Sequence, residues 1–417
     1  MEHTLLYMAL ATVFGLFMAW GIGANDVANA MGTSVGSRAI TIRQALLIAA
    51  IFEFGGAVLA GSNVTDTIRN GIVTPHLFDQ HPRLLIYGML SSLLASGIWL
   101  LVASRRGWPV STTHSIVGAI VGFAVASRGS DAVQWGHVFY IVTSWVISPI
   151  VAGVISYLIF RSAQRLILEH DQPLLQARRY VPFYMFLAGF VITLVTLLSG
   201  LKYLHLTLSH LQSYIAAAAT GVLIALIGKF FISRIKVDAA ANRDFHFATV
   251  ERVFGILMVS TACCMAFAHG SNDVANAVGP VAAIVAVAQS GVVNNNVGIS
   301  IWILVLGGVG IVVGLATFGR HVIATVGREI TDLTPSRGFA AELAAASTIV
   351  VASSTGMPIS TTHTLVGAIL GVGFARGIAA INLQVVRTII LSWIVTVPIG
   401  ALLSVLIFNI IRALLPG

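Results

Sequence analysis

The sequence predicts an all-α polytopic membrane protein with about twelve transmembrane segments, built as two inverted-topology repeats with broken helices or half-helices. Three observations predict it: the composition, the distribution of basic residues, and two polar motifs that each occur twice. Of 417 residues, 57% are apolar types and only 9% are charged, whereas a soluble domain carries about 25% charged residues. So few charges cannot cover a water-soluble globule of this size. A soluble enzyme, a nucleic-acid binder and a disordered scaffold are therefore excluded. Cys263 and Cys264 are adjacent in an apolar run. That is neither an ordinary structural disulfide pair nor a zinc-ligand spacing.

A helical span needs about 20 mostly apolar residues. Runs of that kind lie near 4–35, 42–62, 84–103, 108–127, 137–160, 181–200, 212–232, 252–280, 298–318, 339–355, 358–375 and 388–411. The first, from Thr4 onward, is too long for the core of a cleavable signal and lacks a basic segment before it, so it inserts as the first span. The segments at 108–127, 339–355 and 358–375 are short or carry polar groups, as half-helices or hairpin arms would. The most polar stretch, 233–251, reads as a solvated cytoplasmic linker.

These spans create two sets of loops that alternate across the membrane. One set holds eighteen of the 23 Lys and Arg residues, including Arg105, Arg106, Arg178, Arg179, Lys236, Arg320 and Arg328. The other holds only Arg69, Arg83, Arg128, Lys202 and Arg412. The basic set belongs in the cytoplasm, which puts both termini outside. The net charge of +8 is then a feature of membrane topology, and no nucleic-acid partner is needed to explain it.

The decisive feature is self-similarity. Gly23-Ala-Asn-Asp-Val-Ala-Asn-Ala30 recurs as Gly270-Ser-Asn-Asp-Val-Ala-Asn-Ala277, and Pro109-Val-Ser-Thr-Thr-His114 recurs as Pro358-Ile-Ser-Thr-Thr-His363. Asp26 and His114 are 88 positions apart, Asp273 and His363 are 90. The chain thus divides into a first repeat of about five spans at 1–160, two further spans and the linker at 161–250, and a second repeat at 251–417. An odd number of spans separates the starts of the two units, so they enter the membrane from opposite sides. Secondary transporters often use this plan, with the site at the repeat interface near the midplane.

Polar groups in hydrocarbon are costly and persist mainly for function. Asn25, Asp26 and Asn29 fall within about one helical turn, and Asn272, Asp273 and Asn276 repeat them. Flanking glycines and Pro280 tolerate a helix break. A break would free carbonyls which, with the amide and carboxylate oxygens, suit Na+ at Asp26 and Asp273, unless the aspartates carry H+ instead. The plainer alternative, a helix–helix hydrogen bond, fits a single copy better than two copies of an intramembrane carboxylate.

In the second motif proline suits the first turn of a helix. The hydroxyls of Ser111, Thr112 and Thr113, and of Ser360, Thr361 and Thr362, then converge with free backbone N–H groups on one spot. The helix dipole makes that spot favourable for an anion. Simple N-capping would explain one copy; duplication favours two opposed half-helices around one ligand. No Lys or Arg lies deep in any predicted span, so a cation must share the cavity for the anion to bind well. Each ion then raises the affinity for the other. His114 and His363 can donate to the anion, shuttle a proton, or bond to a backbone carbonyl and so position the half-helices. Glu53 and Glu342, the other membrane-embedded carboxylates, can neutralise a cation, relay a proton or satisfy a helix end. HExxH, GxSxG and paired-metal spacings are absent from the sequence, so an enzyme is not expected.

These residues resemble the inorganic phosphate transporter (PiT) family. The resemblance rests on the GANDVANA and GSNDVANA elements, the paired PxSTTH elements and the glutamates at 53 and 342, and it covers nearly the whole chain. It implies a secondary transporter in a plasma or bacterial inner membrane that imports phosphate with Na+ or H+. The Asn/Asp pairs would lie at the coupling-ion sites and the Ser/Thr clusters near phosphate. It further implies a homodimer with both termini outside and no cofactor beyond the coupling cation. Some relatives take phosphate as a neutral metal-phosphate complex, and sulfate or another oxyanion is the alternative substrate for the same fold. The short 233–251 stretch suits a prokaryotic form.

Overall fold

The computed structural model describes residues 3–198, 208–235, 243–293, 298–319, 333–377 and 383–415. Lys202, Lys236, Arg320 and Arg328 of the charge argument lie outside them. Among the described residues, extended pairing is limited to one isolated bridge between Val73 and Val133. The rest is helix and connection.

In chain order the helices are α1 (Thr4–Gly36), α2 (Ile42–Ala60), α3 (Ser62–Asn70), α4 (Pro82–Arg105), α5 (Thr112–Arg128), α6 (Trp135–Ala163), α7 (Pro173–Leu198), α8 (His210–Ser233), α9 (Arg243–Ser290), α10 (Ile301–Gly314), α11 (Pro335–Ser354), α12 (Thr361–Arg376) and α13 (Leu383–Leu414). Among the described residues, nine are long and apolar enough to cross a membrane: α1, α2, α4, α6 to α9, α13, and α10 with the π turn that extends it to Gly319. The short or polar segments of the sequence are α5, α11 and α12, with 17, 20 and 16 residues.

Two expectations are corrected. The helices that carry the Asn-Asp motifs do not break there: α1 and α9 run through Asn25–Asn29 and Asn272–Asn276 without interruption. The glycines serve close packing instead. A Cβ at Gly23 would collide with the carbonyl of Ile311 on α10, and one at Gly270 with the backbone of Glu53 on α2. Small residues let helix backbones approach where lipid gives no hydrophobic drive. Pro280 lies inside α9; lacking an N–H, it leaves the Asn276 carbonyl without its usual helical donor. The linker reading is also revised. Residues 243–251 form the opening turns of α9, and 236–242 lie outside the described residues.

Helices α4 and α5 form one hairpin, α11 and α12 another. Each first arm ends in a glycine with positive φ, Gly107 at 66° and Gly356 at 75°, a conformation glycine adopts without steric cost. Ser111 then caps α5 by accepting from the His114 N–H, and Ser360 caps α12 by accepting from the His363 N–H, both at 3.2 Å. The second arms pack across the repeats. A Cβ at Gly367 would strike Pro149 of α6 and one at Gly371 would strike Gly153, while Gly118 and Gly122 of α5 stand equally close to Val397 and Ala401 of α13. Thus α5 lies on α13, and α12 lies on α6. The helices α1, α10, α2 and α9 pack together as well.

Candidate functional site

The polar residues of the two duplicated motifs converge. Asn25, Asp26 and Asn29 on α1, and Asn272, Asp273 and Asn276 on α9, are at most 3% exposed; Ser111, Thr112, Thr113, Ser360, Thr361 and Thr362 are at most 2% exposed. The hairpin tips bring the hydroxyls to the amides. Asn25 Nδ2 donates to Ser104 Oγ and to the Trp108 carbonyl, both at 3.1 Å. Asn272 meets Ser353 Oγ at 3.1 Å. Its amide is better satisfied turned over: the nitrogen then donates to the Ile359 carbonyl at 2.9 Å and to Asp273 Oδ1 at 3.1 Å, while the oxygen accepts from Ser353.

Each motif then reaches into the other copy. Asn29 Nδ2 donates to Thr362 Oγ1 at 2.7 Å and to Asp26 Oδ1 at 3.2 Å. Asn276 Nδ2 donates to Thr112 Oγ1 and Thr113 Oγ1, both at 3.2 Å. Thr113 Oγ1 donates to the Ile359 carbonyl at 3.1 Å, and Thr362 Oγ1 to the Val110 carbonyl at 3.5 Å. The tips of the two hairpins therefore touch each other. Thr361 Oγ1 donates to Asp273 Oδ2 at 2.7 Å.

The histidines pair one turn behind the hydroxyls. Their ring centroids lie 4.3 Å apart; His114 packs on Trp145 at 3.7 Å and His363 on Trp393 at 3.4 Å. His114 Nδ1 is 3.4 Å from the Trp393 carbonyl and His363 Nδ1 is 3.3 Å from that of Trp145. Nδ1 of each ring thus meets a backbone carbonyl, while Nε2 of each is buried with no hydrogen-bond partner among the described residues.

Glu53 joins the cluster, but through a residue that motif matching passes over. His269, fully buried on α9, sets Nδ1 3.3 Å from Glu53 Oε1 and Nε2 2.9 Å from Asp273 Oδ2. A signal for it existed in the sequence: His269 stands directly before the second GSNDVANA, where the first copy has Ile22. Glu342 is not brought to the cluster. Its Oε1 accepts from Thr33 and Ser34, and its Oε2 from Thr261 at 2.7 Å, in a separate polar pocket between α1, α9 and α11.

Several buried polar atoms of the cluster make no well-aligned hydrogen bond among the described residues: Asn25 Oδ1, Asn276 Oδ1, and the Glu53 oxygens and His269 ring nitrogens of the ion-pair contacts. Buried polar atoms are rarely left so. One ligand atom each from Asp26, His269 and Asp273 also lies within 4.8 Å of the others. Carboxylate and amide oxygens in this density suit a hard cation, and the threonine hydroxyls beside them can donate to an oxyanion.

A family model described as the phosphate transporter family matches residues 22–404. A Haemophilus influenzae protein named as a phosphate permease is 53% identical over 409 residues, which cover 97% of this chain and 96% of the relative. The chloroplastic inorganic phosphate transporter 2-1 of Arabidopsis thaliana is 44% identical over 419 residues, covering 94% of this chain and 70% of the relative. A solved structure described as the sodium-dependent phosphate transporter superposes with a TM-score of 0.92 at 41% identity, covering 98% of this chain and 100% of that one.

Proposed function

Since the chain belongs to the phosphate transporter family, we propose that it imports inorganic phosphate by secondary active symport with a cation, through alternating access. The observation that carries this reading is the reciprocal grip of the two copies: Asn29 holds Thr362 while Asn276 holds Thr112 and Thr113. Phosphate binds where the first turns of α5 and α12 meet, to the hydroxyls of Ser111, Thr112, Thr113, Ser360, Thr361 and Thr362. The cation binds among Asn25, Asp26, Asn29, Asn272, Asp273 and Asn276. The unpartnered oxygens there favour Na+ over H+, and the solved relative is described as sodium-dependent.

The units are 1–160 and 251–417 in opposite orientations, with 161–250 between them. The touching hairpin tips support this arrangement. A hairpin contributes two crossings or none, so the parity that inverts the second unit holds whether or not α4–α5 traverses the bilayer. A ligand shared by both units lets one unit move against the other and open the site to each side in turn. Both termini lie outside the cytoplasm, and the protein works as a homodimer in the plasma or bacterial inner membrane.

Uptake of labelled phosphate into proteoliposomes tests the proposal. Accumulation is expected under an inward Na+ gradient, with excess unlabelled phosphate competing and sulfate not. Failure to accumulate under either a Na+ or a proton gradient would refute the carrier. Full competition by sulfate would reassign the substrate to oxyanions in general.

A further inference from the structure

We propose that Glu53 and His269 form a strut that positions the Asp273 carboxylate, making the two halves of the cation site inequivalent. The proposal rests on the cation-coupled reading above. His269 and Asp273 are one turn apart on α9 and share a face. Glu53 reaches the other side of the imidazole from α2, at the crossing where Gly270 admits the Glu53 backbone. All three side chains are fully buried.

A carboxylate on the far nitrogen of an imidazole fixes which way the ring faces and what its near nitrogen engages. Here the near nitrogen engages Asp273 Oδ2 at 2.9 Å. The Thr361 hydroxyl reaches the same oxygen at 2.7 Å, so this carboxylate is held from two sides.

Asp26 has the matching threonine, Thr112, as a hydrogen-bond partner, but no histidine–glutamate pair stands behind it. The duplicated motif aligns His269 with Ile22. Ile311, whose carbonyl faces Gly23, stands where Glu53 faces Gly270. Asp26 Oδ1 accepts from Asn29 at 3.2 Å, and the Thr112 side chain hydrogen-bonds the same carboxylate. Each carboxylate therefore has a threonine partner, and Asp273 alone has the His269–Glu53 pair behind it as well. A pre-oriented ligand loses less freedom on binding. The Asp273 half-site thus owes its affinity to two residues that touch neither phosphate nor the hydroxyl cluster.

The test is the Na+ dependence of phosphate uptake at fixed pH for wild type, Glu53→Gln, His269→Gln and the double variant. Glutamine at 269 can still present a donor to Asp273 but loses Glu53. Each single change is expected to raise the Na+ half-saturation about 10- to 100-fold, with phosphate KM at saturating Na+ unchanged. The double variant should be no worse than the weaker single, because both act through one contact. Additive effects, an unchanged Na+ dependence, or an equal change in phosphate KM would overturn the strut. A second readout is the rise in melting temperature on titrating NaCl against choline chloride, whose midpoint should move with the same pattern. Wild type that responds to Na+ in neither assay also overturns the strut. Na+ stabilisation without gradient-driven uptake sinks the carrier reading alone.

Discussion

Asn29 and Thr362 stand 333 positions apart and meet in a hydrogen bond of 2.7 Å inside the protein. The bond joins the first Asn-Asp motif to the second hydroxyl motif, and Asn276 makes the converse bonds to Thr112 and Thr113. The helix that offers amide and carboxylate oxygens is thereby tied to a distant helix that offers hydroxyls, α1 to α12 and α9 to α5.

Asn29→Leu and Thr362→Val should therefore weaken the same event. Each removes the bond between the two side chains, while the remaining Asn29 keeps Asp26 and the remaining Thr362 keeps the Val110 carbonyl; a change of about 1–3 kcal/mol would read as roughly 5- to 150-fold in half-saturation. A double-mutant cycle on uptake should show strong non-additivity. Independent effects would mean that the bond is incidental to transport.

Asp26→Asn and Asp273→Asn remove a charge while nearly keeping shape. Both are expected to abolish concentrative phosphate uptake while expression and elution from a sizing column match wild type. Wild-type accumulation by both variants would exclude the carboxylates from coupling.

Neighbouring glycines on α2 should respond in opposite ways. A Cβ at Gly55 meets nothing within 4 Å, whereas one at Gly56 would collide with the Phe267 carbonyl on α9. Gly55→Ala should be neutral or stabilise by up to about 1 kcal/mol through helix propensity. Gly56→Ala should force α2 from α9 and lower the melting temperature in detergent. Equal melting temperatures would contradict this packing.

Glu342 lies in its own pocket with Thr33, Ser34 and Thr261. Glu342→Leu strips three hydroxyls of their acceptor, at about 1–3 kcal/mol for each buried group left unsatisfied, so the melting temperature should fall. Glu342→Gln keeps an acceptor and should largely restore it, with phosphate KM unchanged in both. A large rise in phosphate KM for Glu342→Gln would bring this carboxylate into the substrate site.

The residues of the candidate site were legible because a carboxylate or an amide in a long apolar run stands out locally, and its recurrence marks it further. The half-helices were legible from Pro109 and Pro358 and the hydroxyls that follow them. Helix continuity at Asn25–Asn29 was not. The same glycines permit a break or a close crossing, and the choice depends on the Ile311 and Glu53 backbones opposite, which are remote in sequence. Glu53 and Glu342 looked alike as sequence, yet one faces His269 and the other three hydroxyls.

Composition and duplication alone determined that the chain is a helical membrane protein with two matched sets of polar groups, because hydropathy and repetition are properties of the string itself. Tertiary structure decided how the sets interlock, which glycines are crossings, and that His269 meets Glu53 and Asp273. Those outcomes depend on side chains from different helices meeting in space, and such meetings leave no periodicity along the chain.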